Sequence, residues 1–126
     1  MSVIRITCGG VSVTAELLPE SAPETIESLL SSLPISSSAK RWDDEVYFTV
    51  PIETDSENQC EVVETGDLAY WPPGEALCIF FGPTPASRGD EIRPVSPVNL
   101  IGRVHGNPRV FKDVNDGDRV VVERVE

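Results

Sequence analysis

Short runs of alternating apolar and polar residues, separated by glycine and proline, are the feature that most restricts the fold of this chain. Such alternation is typical of a β-strand that buries one of its two faces. The first two runs, Val3–Cys8 and Val11–Leu17, flank Gly9 and Gly10, and a glycine pair between such runs predicts a β-hairpin. Further strands are predicted at Glu45–Ile52, Asp67–Trp71, Ala76–Phe81, Asn99–Val104 and Arg119–Val125, and the Ser-rich segment Ile35–Arg41 is predicted to be a strand edge or a loop.

One segment, Ser21–Leu33, has the spacing of a helix. Its apolar residues recur at i, i+3, i+4 and i+7, which predicts a single stripe facing a core. That stripe consists of Ile26, Leu29, Leu30 and Leu33. Ser21 is predicted to cap the helix, with Glu24 three residues later completing a capping box and Pro23 in the first turn. Pro34 is expected to end the helix.

Many short strands with a single helix predict a mainly β fold. We expect a closed or nearly closed β-barrel in which the capped α-helix covers one open end. No repeat or linker divides the 126 residues, so we expect one domain over residues 1–126. Segment Gly82–Pro97 contains four prolines and is expected to be a long surface loop. Val110–Asp113 is expected to form a short helical turn.

The balance of charge disfavours one class of partner. A formal net charge of −11, from 21 acidic and 10 basic residues, repels phosphate backbones and disfavours nucleic acid. No apolar run approaches the ~20 residues that span a bilayer, and the start of the chain lacks the basic and apolar regions of a signal peptide. We therefore expect a cytoplasmic protein with no nucleic-acid and no membrane partner.

Cysteine and histidine are too scattered to predict a metal site. Cys8, Cys60 and Cys78 form no CxxC pair and no disulfide framework, and Cys8 and Cys78, which lie in predicted strands, are expected to be small buried side chains. His105 is the single histidine, whereas a metal site needs several converging ligands. Asp113–Asp118 resembles a calcium loop only superficially, because its glycine is one position early and the closing glutamate is missing. No metal and no cofactor is predicted.

Aromatic residues are concentrated in Gly66–Pro85, where a Pro-Pro-Gly turn joins two predicted strands. Because side chains alternate between faces, one member of each adjacent pair is expected to fill the barrel and the other to cover its outer face or the helix. These pairs are Tyr47 with Phe48, Tyr70 with Trp71, and Phe80 with Phe81. Core packing and an apolar ligand groove are both open interpretations. The candidate ligand-binding residues are Trp42, Glu45, Tyr47, Phe48, Tyr70, Trp71 and Phe81.

Glu45 is the acidic candidate within this set. It follows Trp42, Asp43 and Asp44, and a carboxyl beside aromatic rings can have a raised pKa and act as a general acid or base. The alternative is that this acidic run is solvated surface, since such residues are rarely buried.

The order of hairpin, capped helix, aromatic strands, long loop and closing strands resembles cyclophilin. Ala22–Leu30 is similar to the helix that follows the first hairpin there, and Asn99–Gly106 to a late strand with a Phe-Gly-Lys/Arg-Val pattern. Nearly the whole chain resembles more closely the small cyclophilin-like proteins of archaea and bacteria, the DUF369 family. That resemblance depends on Gly66–Pro85, on the Ser-Arg-Gly-Asp-Glu-Ile loop and on Asn99–Val104. It implies a closed cyclophilin-like β-barrel.

The residues that the resemblance implies for prolyl isomerisation are not matched. Cyclophilin uses an arginine on a Phe-His-Arg-Val strand, and the comparable strand here, Val46–Val50, has none. Aligning on Gly102 puts Val98 at the groove histidine, and Ala76–Phe80 lacks the groove glutamine. Without a donor that weakens amide resonance, the barrier of ~18–20 kcal/mol remains. Prolyl isomerase activity is therefore not expected.

Three functions are compatible with these observations. The first is a binding module that holds a peptide or a small apolar ligand in an aromatic-lined groove. The alternative is a divergent peptidyl-prolyl isomerase, or another enzyme using the same pocket, with an arginine supplied by Arg41, Arg88 or Arg93. The third is an assembly role, in which a homo-oligomer buries an exposed aromatic face.

Overall fold

The computed structural model describes residues 2–125, and its elements follow the predicted order. The strands are β1 (Val3–Cys8), β2 (Val11–Leu17), β3 (Ile35–Ser38), β4 (Lys40–Arg41), β5 (Glu45–Thr49), β6 (Asp67–Trp71), β7 (Ala76–Phe80), β8 (Asn99–Val104) and β9 (Arg119–Arg124). Helix α1 spans Pro23–Ser32, and two 3₁₀ turns span Pro72–Gly74 and Pro108–Asp113. Strand β5 ends earlier than expected, because Pro51 has no N–H for a strand ladder.

The strands form one antiparallel sheet that nearly closes on itself. Their order is β3-β9-β1-β2-β8-β6-β7-β5-β4. The two edge strands, β3 and β4, are consecutive in the chain and are separated only by Ala39. The Ser37 hydroxyl on β3 donates to the Thr49 carbonyl on β5 across the remaining gap, at 2.7 Å. The mainly β, nearly closed barrel predicted from the alternating runs is confirmed.

The first hairpin forms as its glycine pair predicts. Cys8 pairs with Val11 across the turn, and Gly9 has a φ of +56°. A side chain at this position would be strained in two ways. The left-handed backbone favours glycine, and a Cβ there would lie 2.7 Å from the Asp118 carboxylate.

Helix α1 places its apolar stripe against the barrel. Ile26 and Leu29 are buried, while Leu30 and Leu33 are partly buried and pack against the same core. The predicted stripe is therefore confirmed. Among residues 2–125, no helix is long and apolar enough to cross a membrane.

The N-terminal cap of α1 differs from the prediction. Ala22 precedes the first turn, and neither Ser21 nor another side chain of this segment caps it. The Glu57 carboxylate, from the loop between β5 and β6, accepts hydrogen bonds from the backbone N–H groups of Glu24 (3.1 Å) and Thr25 (2.7 Å). It also accepts one from the Thr25 hydroxyl at 2.6 Å. The predicted capping box is wrong, because a distant carboxylate occupies the positive end of the helix.

Asn99 on β8 holds this capping loop in place. Its side chain is fully buried and accepts a hydrogen bond from the Glu57 backbone N–H at 2.9 Å. Its amide donates to the Asp55 carbonyl at 3.0 Å and contacts the Thr25 hydroxyl at 3.2 Å. One buried amide therefore links the helix, the loop and the barrel.

Replacing Glu57 with alanine is expected to lower the free energy of unfolding by about 1–2 kcal/mol, the usual effect of losing a helix cap. Burial works against the charged form, but hydrogen bonds from Thr25 and from backbone N–H groups lower the pKa of Glu57 overall. The stabilisation is therefore present above the carboxyl's ordinary pKa and is lost as pH falls through the lowered value. Urea unfolding at pH 7 and pH 3 measures both effects.

Ser21→Ala is the matched control for this prediction, because it removes the residue that the capping-box pattern selects. We expect it to change stability by less than about 0.5 kcal/mol. If Ser21→Ala lowered the free energy of unfolding more than Glu57→Ala, this prediction would be wrong and the capping box would be supported.

Candidate functional site

Strands β5, β6 and β7 carry apolar side chains on both faces, and the two faces belong to different clusters. The inner face joins the main core inside the barrel through Val46, Phe48, Leu68, Tyr70, Leu77 and Ile79. The outer face forms a second cluster from Val63, Ala69, Cys78, Phe80, Ile92 and Val98, with Tyr47, Cys60 and Trp71 packed against it. Each adjacent aromatic pair is divided between the two faces, with Phe81 in the main core. The predicted alternation is confirmed.

The outer face is covered by the long loop, and a cavity of about 230 Å³ lies between them. Both the sheet side and the loop side are mainly apolar. The cavity is lined by Trp42, Glu45, Tyr47, Trp71 and Cys78 from the sheet side and by Pro94, Val95 and Val98 from the loop side. Val95 is 58% exposed and lies at the mouth, whereas Val98 is fully buried.

A two-residue turn brings Trp42 and Glu45 together. Their backbones exchange hydrogen bonds, from Trp42 N–H to the Glu45 carbonyl at 2.9 Å and from Glu45 N–H to the Trp42 carbonyl at 3.2 Å. Residues opposed in this way project their side chains on the same face of the ladder. Asp43 makes the turn possible with a left-handed φ of 52°. The acidic residue and the indole therefore reach the cavity from one hairpin end.

Trp71 forms another wall, and the Pro-Pro-Gly turn holds it there. A Cβ at Gly74 would lie 2.3 Å from the Trp71 ring, so only glycine permits this packing. The indole N–H donates to the Ser96 hydroxyl at 2.6 Å. Because Ser96 belongs to the long loop, this hydrogen bond connects the wall to the cover of the cavity.

The long loop is ordered by its own polar contacts. The Ser87 hydroxyl accepts hydrogen bonds from the backbone N–H groups of Thr84 (2.9 Å) and Arg93 (3.2 Å), and the Thr84 hydroxyl donates to the Arg93 carbonyl. Arg93 also forms an ion pair with Glu91. Isolated bridges join Val98 to Cys60 and Ile92 to Val63. These contacts fix the loop over the outer face of the sheet.

Glu45 is the unusual group in this cavity. It is 6% exposed, and its Oε1 atom has no hydrogen-bond partner among the described residues. Burial raises the pKa of Glu45 to about 7, although an interaction with the Cys78 side chain opposes the rise. An unsatisfied buried acceptor costs about 1–3 kcal/mol. The structure therefore holds a carboxyl that changes charge near neutral pH inside an apolar cavity.

The charged groups around Glu45 do not neutralise it. Burial, followed by the charge of Glu45, raises the pKa of Cys78 well above its ordinary value, so this thiol keeps its proton. Arg41 lies 4.0 Å and Lys112 lies 3.9 Å from the Asp44 carboxylate, so both are engaged by the neighbouring acid. None of the described residues that line the cavity is basic.

The structure brings together four of the seven candidate residues. Trp42, Glu45, Tyr47 and Trp71 line the cavity, so the interpretation of Glu45 as solvated surface is wrong. Phe48, Tyr70 and Phe81 do not line it; they are buried on the opposite face. Whether the four bind a ligand remains a prediction.

Sequence reasoning missed the other half of the lining. Pro94 and Val95 come from the loop, Val98 directly follows it, and Cys78 comes from the predicted core. The available signal was the apolar content of the Pro-Val-Ser-Pro-Val run inside an otherwise polar loop. An apolar run in a loop indicates that the loop packs against an apolar surface of the protein.

A larger groove of about 740 Å³ lies beside Tyr70 and the Pro-Pro-Gly turn, but its character is different. It is open and is lined partly by the acidic side chains of Glu53, Asp55 and Glu75. The Tyr70 hydroxyl there donates a hydrogen bond to the Ile52 carbonyl at 2.6 Å. The smaller apolar cavity is therefore the better candidate for a ligand site. Within residues 2–125, no cluster of three or more His, Cys, Asp or Glu side chains is placed to hold a metal ion.

Comparison with known proteins gives a family and a fold. A family model described as Cyclophilin-like matches residues 2–123. The chain is similar to a hypothetical protein from Archaeoglobus fulgidus, whose solution structure matches with a TM-score of 0.84 and 47% identity over 98% of this chain and 95% of that one. McbB in complex with tryptophan matches with a TM-score of 0.73 and 19% identity, over 95% of this chain and 44% of McbB, which shows the fold alone. Comparison with the curated proteins finds no match.

Proposed function

Since the chain belongs to the cyclophilin-like family, we propose that it uses the barrel as a binding module, holding a peptide or a small apolar ligand without prolyl isomerase catalysis. The observation that carries this proposal is the mainly apolar cavity between the outer face of the sheet and the long loop. Ligand sites are typically mainly apolar clefts with a few polar groups, and among the described residues Glu45 is the one charged side chain in the lining.

The size of the cavity limits its occupant. At about 230 Å³ it is smaller than the roughly 300–1,000 Å³ of typical small-molecule pockets. It suits one ring or one apolar side chain more than an extended peptide. The ligand is therefore a small apolar molecule, or one side chain of a peptide whose remainder lies outside.

The contacts of the candidate arginines favour binding over isomerisation. Arg41 donates to the Lys112 and Val114 carbonyls, at 3.1 Å and 2.9 Å, and Arg93 is paired with Glu91. Arg88 lies in the exposed part of the loop. None of the three lines the cavity, where Val98 stands at the position that the cyclophilin alignment assigns to the groove histidine.

The assembly hypothesis depends on an exposed aromatic face, which is not found among the described residues. Among the described residues, the large hydrophobic side chains that are exposed are all valines. The aromatic residues of the outer face are half-buried or buried beneath the loop.

Intrinsic fluorescence tests the proposal directly, because both tryptophans of the chain, Trp42 and Trp71, line the cavity. We expect 2-phenylethanol, an uncharged single-ring probe that does not absorb at the excitation wavelength of indole, to change the emission saturably. Val95→Phe narrows the mouth at a residue that is 58% exposed, and it should weaken binding about tenfold or more.

Val62→Phe is the matched control, since Val62 is 45% exposed and does not line the cavity. It should leave the titration unchanged. A response that is absent, or that is equal in Val95→Phe and the native chain, would contradict the proposed cavity.

A second arm of the test addresses catalysis. Cis–trans isomerisation of a proline tetrapeptide should proceed at the same rate with and without the protein. A clear acceleration that Arg41→Ala or Arg93→Ala abolishes would support the isomerase alternative and refute this part of the proposal.

A further inference from the structure

The lining of the cavity contains one acidic side chain and no basic one among the described residues. Glu45 is buried, and one of its carboxyl oxygens has no hydrogen-bond partner there. Trp42 faces it across the turn, and Tyr47 and Trp71 form further aromatic walls. A buried acceptor without a partner calls for a donor, which a ligand in the cavity can supply.

We infer that the ligand is a small organic amine whose ammonium group pairs with the Glu45 carboxylate while its apolar part packs against Trp42, Tyr47 and Trp71. This inference rests on the proposed function, because it names the class of ligand for the same cavity. An ammonium group donates up to three hydrogen bonds and so supplies what the unpaired oxygen lacks.

The three aromatic rings favour a cation over a neutral donor. The faces of tryptophan and tyrosine rings attract cations, most strongly where water is excluded. The formal net charge of −11 also attracts cations towards the surface of the protein. The same features repel a carboxylate ligand, which would meet Glu45 with a like charge.

The titratable groups around Glu45 do not form an ion pair with its carboxylate, so a ligand can. Tyr47 on the same strand and Cys78 on β7 are the other titratable side chains in the lining, and the Cys78 thiol stays protonated. Asp44, beside Glu45 in the chain, is already approached by Arg41 and Lys112. Within residues 2–125, the segments that supply Trp71, Pro94, Val95 and Val98 contribute no ionisable side chain to the cavity.

A matched pair of probes tests the inference. 2-Phenylethylamine and 2-phenylethanol have the same ring and chain, and they differ in carrying an ammonium or a hydroxyl group. Titrated at pH 8 by intrinsic fluorescence, the amine should bind the native chain at least about tenfold more tightly than the alcohol. Glu45→Gln keeps the shape of the side chain and should abolish that preference, so that the two probes bind the variant with similar affinity.

The pH dependence of the native chain gives a second readout that does not depend on a variant folding. Because Glu45 ionises near pH 7, affinity for the amine should rise about tenfold from pH 6 to pH 8. The alkylammonium keeps its proton over this range. Affinity for the alcohol should not rise.

The outcomes separate the inference from the proposed function. Saturable binding of both probes with equal affinity, or an amine preference that persists in Glu45→Gln, overturns the inference and leaves the apolar cavity as a ligand site. Binding of neither probe, or binding that Val95→Phe does not weaken, overturns both. A capped lysine peptide titrated in parallel carries the same ammonium on a side chain. If the peptide does not bind while the free amine does, the site takes a small molecule and not a lysine side chain.

Discussion

Replacing Phe111 with alanine is expected to lower the free energy of unfolding by about 3–5 kcal/mol, the usual effect of deleting a buried aromatic ring. Phe111 is fully buried although it lies in the 3₁₀ turn Pro108–Asp113. Its ring stacks on Phe81, with 6.2 Å between centroids and an interplanar angle of 29°. Guanidinium unfolding at pH 7 measures the change.

The surroundings of Phe111 leave little room for the structure to close over the lost ring. Arg41 lies over the Phe81 ring, 5.1 Å from its centroid, and its guanidinium holds the carbonyls of Lys112 and Val114. A site fixed by such contacts cannot collapse fully, so we expect a loss in the upper part of the range.

Val110→Ala is the matched control, since Val110 is in the same turn but 39% exposed. It should change stability by less than about 0.5 kcal/mol. Similar losses in the two variants would mean that the turn itself, and not the buried ring, carries the stabilisation.

The second large expected effect is that Glu45 makes the free energy of unfolding depend on pH. Because burial raises its pKa to about 7 in the folded chain, Glu45 binds more protons when folded than when unfolded between about pH 4.5 and pH 7. Stability then falls as pH rises through this window and levels off above it. Each unit of pKa difference corresponds to about 1.4 kcal/mol, so the full effect approaches about 3 kcal/mol.

Glu45→Gln should remove this dependence, because an amide does not ionise. Relative to the native chain, the variant should gain up to about 3 kcal/mol between pH 4 and pH 8, measured by urea unfolding across this range. Glu61→Gln, at an exposed residue, is the control and should follow the native curve. A constant difference between Glu45→Gln and the native chain at all pH values would contradict the raised pKa.

The helix shows how far local pattern predicts structure in this chain. The apolar stripe of α1 was predictable because its period is a property of neighbouring residues. Its cap was not, because Glu57 reaches the helix from a loop 33 residues away in sequence. The capping-box residues are present and unused, since the Glu57 carboxylate already accepts from the Glu24 N–H that the Ser21 side chain would bind.

The candidate site was predictable only in part. Alternation establishes that Tyr47 and Phe48, or Tyr70 and Trp71, face opposite ways, but it does not say which member faces the barrel interior. That choice depends on which side of the sheet the helix and the long loop cover. Phe48 and Tyr70 therefore entered the candidate set and proved to be in the main core.

By itself, the sequence determined the mainly β fold, the order of its strands along the chain and the amphipathic helix α1, because alternation, turn residues and helical spacing are local properties. Only the tertiary structure decided that the Pro-Val-Ser-Pro-Val run folds over Trp42, Tyr47 and Trp71 and encloses Glu45. The burial of that carboxyl, and with it the pKa near 7, comes from contacts between segments far apart in the chain. The spacing of residues along the sequence does not reveal contacts between distant segments.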